Sequence, residues 1–171
     1  MSSIALFVDG ANMFYAQKQQ GWYIDWAAVL QHFMANKQKC RAFYFTATPA
    51  DSNIEAVQKY RKFRAALIYM GYEVIDKEVH VIQDQTSGIT KLKGNLDIEI
   101  VFRMLTSADG WDEGVLIGID LDYIPIINHL RNVGKTITCV GRRQMTSLDL
   151  INAATQFIEL EGLRKLIERK K

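Results

Sequence analysis

Two kinds of hydrophobic pattern alternate along the chain. Short, unbroken apolar stretches run from Ile4 to Val8 (IALFV), Arg41 to Ala47 (RAFYFTA), Gly114 to Ile119 (GVLIGI) and Thr136 to Gly141 (TITCVG), and each has the length and continuity of a strand buried on both faces. Helical spacing fills the intervals. After an Asp9-Gly10-Ala11-Asn12 loop, a helix is predicted from about Met13 to Gln20. A second is N-capped by Asp25 and carries Trp26, Val29, Leu30 and Phe33 on one face. A long helix capped by Asp51 or Ser52 carries Ile54, Val57, Tyr60, Phe63, Leu67 and Met70, and Gly71 ends it. Glu73 to Ile82 reads as extended, Asp84 to Gly88 as a turn, and Thr90 to Lys93 as an antiparallel return. Gly94 or Asn95 opens a helix to about Thr106. Another spans Asp122 to Val133 with Pro125 in its first turn, and a closing helix follows Ser147. This order predicts a three-layer α/β fold around a mainly parallel sheet, with residues 1–171 forming one domain.

Composition narrows the class without changing that picture. The 171 residues are 49% hydrophobic and 23% charged, ordinary for a globular protein able to bury its own core. The longest apolar runs fall far short of the roughly 20 residues a spanning helix needs. Asp9 interrupts the only apolar stretch near the N-terminus, which also lacks a basic start, so a signal peptide is not expected. No membrane association and a cytoplasmic location are the expectation. Cys40 and Cys139 each lie in an apolar strand-like run and are expected to be buried, reduced thiols. A net charge of +2 assigns no partner by itself, so attraction for nucleic acid has to come from local patches. The P-loop and dinucleotide-binding glycine patterns are absent.

The candidate chemistry is acidic. Ligands of open parallel sheets bind at the carboxyl ends of the strands. Asp9 follows the first strand directly, Asp120 and Asp122 follow the strand ending at Ile119, and Asp97 lies in the first turn of the helix after Lys93. Taken singly, Asp9 reads equally as a turn former or cap, Asp122 as an N-cap, Asp120 as a loop residue and Asp97 as a complement to the helix dipole. Taken together, three separate loops bring acids to one sheet edge. Carboxylates facing one another in a partly desolvated cleft repel, and a divalent cation removes that cost. Mg²⁺ or Mn²⁺ suits such a site, since oxygen ligands and retained waters are what these ions take. Asn12 is placed to hold a carboxylate, a water or a phosphate.

These residues resemble a known family. Phe7-Val8-Asp9-Gly10-Ala11-Asn12 is similar to the opening motif of NYN domains. Lys93-Gly94-Asn95-Leu96-Asp97-Ile98 and Asp120-Leu121-Asp122-Tyr123-Ile124-Pro125 are similar to its two later motifs, in the right order and spacing. The likeness extends over nearly the whole chain and is strongest to the LabA-like branch. It implies a PIN-like (Rossmann-like) fold and a metal-dependent ribonuclease site. By position, Asp9, Asp97 and Asp120 would hold the metal, Asp122 would support them and Asn12 would assist at the substrate or water. Two positions depart from the family pattern. Gly118-Ile119 stands where Ser-Gly is usual, giving a bulkier approach, and Arg103 stands where relatives often carry a further acid. If Arg103 faced the cleft it would weaken metal binding; otherwise it faces solvent.

Arg142 and Arg143 follow the last predicted strand and read equally as phosphate contacts or as a solvated turn. Lys93, with Lys91, is a weaker candidate of the same kind. Tyr15, Trp22, Tyr23 and Trp26 favour core packing over base stacking, by about two to one. The reading that emerges is a ribonuclease acting on RNA. The alternative is an inactive relative that binds RNA or a protein partner, and a homodimer is left open.

Overall fold

The computed structural model describes residues 2–78, 80–83, 90–93 and 96–170, with the backbone alone at 80–83 and 90–93. Six parallel strands form its central sheet in the order β3-β2-β1-β6-β7-β8. These are β1 (Ser3–Asp9), β2 (Lys39–Thr48), β3 (Glu73–Glu78), β6 (Glu113–Ile117), β7 (Thr136–Gly141) and β8 (Gln156–Glu159). A separate antiparallel pair, β4 (His80–Gln83) and β5 (Thr90–Lys93), is in register with His80 opposite Lys93. Among the described residues six α-helices connect the strands, α1 (Gly10–Gln20), α2 (Trp26–Met34), α3 (Ile54–Met70), α4 (Asp97–Thr106), α5 (Ile124–Asn132) and α6 (Leu148–Ala153), and α7 (Arg164–Ile167) follows the last strand.

The period-2 geometry of β1 explains the three layers. Ile4, Leu6 and Val8 point to one face, among Trp22, Trp26, Val29, Leu67, Leu163 and Ile167 from the side of α1, α2, α3 and α7. Ala5 and Phe7 point to the other, among Ile100, Met104, Ile127, Leu130 and Leu150 of α4, α5 and α6. Residues 4–8 are all nearly inaccessible, which is why the run is apolar without alternation.

Several elements differ from their sequence-based outlines. There is no loop between β1 and α1, because the helix starts at Gly10 and Asp9 is itself the N-cap. Asn53, rather than Asp51 or Ser52, caps α3 through a bond from the Ala56 amide. The helix at Asp97 has no side-chain cap, and the expected openers Gly94 and Asn95 lie outside the described residues, as does the predicted turn at 84–88. The stretch after Ser147 is not one helix. It holds short α6, the sixth parallel strand and then α7, so β7 is not the last strand. Cys139 is buried as expected, but Cys40 is exposed, because the first three residues of β2 project past the helices that cover the rest. Among the described residues no helix is long and apolar enough to cross a membrane.

Candidate active site

The strand order reverses at the centre of the sheet. From β1 the chain moves outward through β2 and β3, then returns to the other side of β1 for β6, β7 and β8. The crevice beyond the carboxyl ends of β1 and β6 is therefore the topological switch point, the usual ligand site of such sheets. Asp9 ends β1 there, and Asp120 stands three residues past the end of β6.

Local geometry requires glycine on both sides of Asp9. A Cβ on Gly10 would strike the Phe45 carbonyl oxygen and the Tyr44 ring, so α1 can start against β2 only with glycine at its first position. Gly118 turns the chain out of β6 with φ +90°, and a Cβ there would lie 3.0 Å from Asp9 Cβ and 3.3 Å from Asn12 Cβ. The turn thus packs directly on the acid.

Asp9 is 5% exposed and fully engaged. Its Oδ1 accepts the Asn12 backbone N–H at 2.9 Å. Its Oδ2 lies 2.7 Å from the Tyr123 hydroxyl, which also lies 2.8 Å from Asp97 Oδ1. One buried phenol therefore joins two of the three acids. The phenol has a single proton, so the second short contact calls for a proton on a carboxyl. Burial raises the Asp9 pKa above the usual carboxylate range, the Asn12 and Tyr123 bonds oppose that rise, and the charges of Asp97 and Asp120 add to it. Burial, followed by the charge of Asp9, pushes the Tyr123 hydroxyl far above its ordinary pKa, so it stays a neutral donor. Tyr123 was not singled out from the sequence, where an aromatic at the start of an aliphatic helix reads as core. Its position beside the Asp120-Leu121-Asp122 acids was the available signal.

Asp120 and Asp122 are exposed. Asp120 Oδ1 accepts the Asp122 backbone N–H at 3.2 Å, capping the 3₁₀ turn Leu121–Tyr123. The Asn12 amide Nδ2 donates to the Ile119 carbonyl at 3.1 Å and ties α1 to that turn. Among the described residues, no group of three or more His, Cys, Asp or Glu side chains is arranged to hold a metal ion. The close pair is Asp9 with Asp97, and Asp120 stands within electrostatic reach of Asp9.

The flanking cations divide. Arg142 lines a groove of ≈ 150 Å³ beside the acids, with Asn12, Tyr15, Ile119 and Met145. Among the described residues its guanidinium contacts only neutral acceptors, Gln19 Oε1 at 3.4 Å and Met145 Sδ at 3.8 Å. Arg143 is turned outward onto the Phe157 ring of β8, 5.2 Å from its centroid. Lys93 ends β5 ahead of α4, and its side chain lies outside the description. Arg103 is half-buried and is absent from the lining of the groove beside the acids. It pairs with Glu73 of the edge strand β3 at 3.2 Å and lies over Phe43, six residues along α4 from Asp97. Trp22 and Trp26 are buried, whereas Tyr15 and Tyr23 are exposed.

Comparison with known proteins agrees with this layout. The NYN domain family matches residues 3–161. Low amplitude and bright protein LabA of Synechococcus elongatus is 36% identical over 172 aligned positions, spanning 98% of this chain and 89% of its own. The crystal structure of a protein of unknown function from Vibrio parahaemolyticus has the same fold, with a TM-score of 0.74 at 22% identity over 93% of each chain.

Proposed function

Because the chain belongs to the NYN domain family, whose PIN-like fold is that of nucleases, we propose that it is a metal-dependent ribonuclease that hydrolyses RNA phosphodiester bonds at the switch point. The observation that carries this reading is the Asp9–Tyr123–Asp97 network, two carboxylates held together at the carboxyl edge with a third acid close by. In this reading Asp9, Asp97 and Asp120 hold Mg²⁺ or Mn²⁺. The donor set suits such an ion, which takes one or two carboxylates directly and keeps several waters, so three converged ligands are not required. When bound, the ion supplies an acidified water and neutralises charge on the scissile phosphate.

The chain's own residues do the rest. Tyr123 fixes the spacing of Asp9 and Asp97. Asn12, tied to Asp9 and to the Ile119 carbonyl, forms the wall on which substrate or water is oriented. Asp122 supports Asp120 through its backbone N–H. Arg142 holds a flanking phosphate, with Lys93 at the end of β5 a further candidate for that role, while Arg143 packs on Phe157 outside the groove. Arg103 does not interfere, because Glu73 of the edge strand β3 pairs with its charge.

The test is cleavage of labelled RNAs of varied sequence by the purified, folded protein. Cutting with Mn²⁺ or Mg²⁺, its loss in chelator and a drop of about 100-fold or more in Asp9→Asn are expected. Absence of chelator-sensitive cutting across all the RNAs would sink the proposal. A second reading, an NYN-fold regulatory protein that binds RNA or a protein without cutting it, draws on the lack of three converged ligands among the described residues. It is abandoned if the native chain cuts and Asp9→Asn does not.

A further inference from the structure

The groove beside the acids has features that hydrolysis of a phosphodiester does not itself require. One wall is the Tyr15 side chain on the first turns of α1, 65% exposed although it is a large aromatic. The edge of Phe14 meets it at a ring-centroid distance of 5.5 Å and an interplanar angle of 79°. The opposite wall is the turn after β7, with Arg142, Met145 and Thr146. Ile119 lies between them, packed so closely on Gly141 that a Cβ there would strike its side chain. Asn12 belongs both to this groove and to the Asp9 network, so the groove is continuous with the acid site.

We propose that this groove is a subsite for one unpaired nucleotide of single-stranded RNA, with the base stacked on Tyr15 over Ile119 and Met145 and its phosphate on Arg142. This deepens the ribonuclease reading and rests on it. Three observations point to this occupant. An exposed aromatic ring held by a neighbouring ring offers a stacking platform that any base can use. A guanidinium held only by neutral acceptors keeps its full charge for an anion, whereas Arg41, Arg64, Arg103 and Arg164 are each paired with carboxylates. An aliphatic floor of Ile119 with Met145 suits the flat face of a base and offers no side-chain hydrogen-bond partner to its edge. Stacking of this kind requires a base free of its helix, so the subsite selects unpaired RNA. Ile119, packed on Gly141, forms the floor of the subsite.

The experiment measures equilibrium binding by fluorescence anisotropy in an Asp120→Asn background, which prevents cutting. The probes are a labelled single-stranded oligoribonucleotide of mixed sequence and the same sequence in a duplex. Adding Tyr15→Ala is expected to weaken single-strand binding about 5-fold or more, while Tyr15→Phe retains it. Duplex binding is expected to be weaker and indifferent to Tyr15→Ala. Tyr15 is exposed, so neither substitution threatens folding. Single-strand binding unchanged by Tyr15→Ala, or a duplex bound as tightly as the single strand, overturns the subsite while chelator-sensitive cutting by the native chain still stands. No binding of either RNA by the folded protein overturns the subsite and, if the native chain also fails to cut, the ribonuclease reading with it.

Discussion

Asp9 is costly to keep charged in the ion-free protein. Burial raises its pKa, so the fold favours its protonated form more than water does. For such a group the stabilising contribution is present below the unfolded carboxylate pKa of roughly 3.9 and is lost as pH rises through the folded value. At neutral pH the ionised side chain therefore works against stability, as functional groups often do. Asparagine at this position would accept from the Asn12 N–H and donate to the Tyr123 oxygen, leaving the phenol proton for Asp97. Asp9→Asn is accordingly expected to raise the melting temperature in chelator at pH 7 by about 2–4 °C, the equivalent of ~1 kcal/mol in a chain of this size. The gain should vanish as pH falls toward 4. A lower melting temperature at pH 7 would contradict the assignment of Asp9 as a strained functional acid. Asp9 and Asp120 were legible in the sequence because each follows an unbroken apolar strand. Tyr123 was not, since nothing in a one-dimensional pattern distinguishes a ring that fills the core from one whose hydroxyl joins two carboxylates 88 positions apart.

At the scale of elements, the β1–α1 junction explains the Asp-Gly pair. Asp-Gly-x-Asn reads locally as a turn, which is why the sequence suggests a loop. In the fold, Asp9 serves as both strand end and helix cap, and α1 starts where Gly10 touches β2. Gly10→Ala is expected to push the first turn of α1 away from Phe45 and Tyr44, destabilising the protein by about 1–3 kcal/mol and weakening metal binding with it. A variant as stable as the native chain, with unaltered metal affinity, would show that the close approach is dispensable. The long, strongly periodic or continuously apolar elements were legible for the opposite reason, since burial on one stripe or both faces dictates their residues. Gln156–Glu159 escaped because an edge strand is half-exposed and only four residues long, so it carries no continuous apolar signature.

On the scale of the whole molecule, the site is a product of topology. Four acids and an asparagine from three segments, 9–12, 97 and 120–122, come to one region because the strand order reverses between β1 and β6. That convergence followed from the predicted alternation of strands and helices, but the division of labour did not. Arg142 and Arg143 are adjacent in sequence, yet one lines the groove and the other packs on β8, a strand that the sequence did not reveal. Arg103 likewise needed the third dimension, because only its pairing with Glu73 on the edge strand β3 shows where its charge goes.

Calorimetric titration of the native chain and of Asp9→Asn with Mn²⁺ at neutral pH is the most direct measurement. The account predicts saturable binding to the native chain and none to the variant, with both proteins folded. Absence of binding to the native chain, or equal binding to both, would contradict the claim that these acids form a cation site.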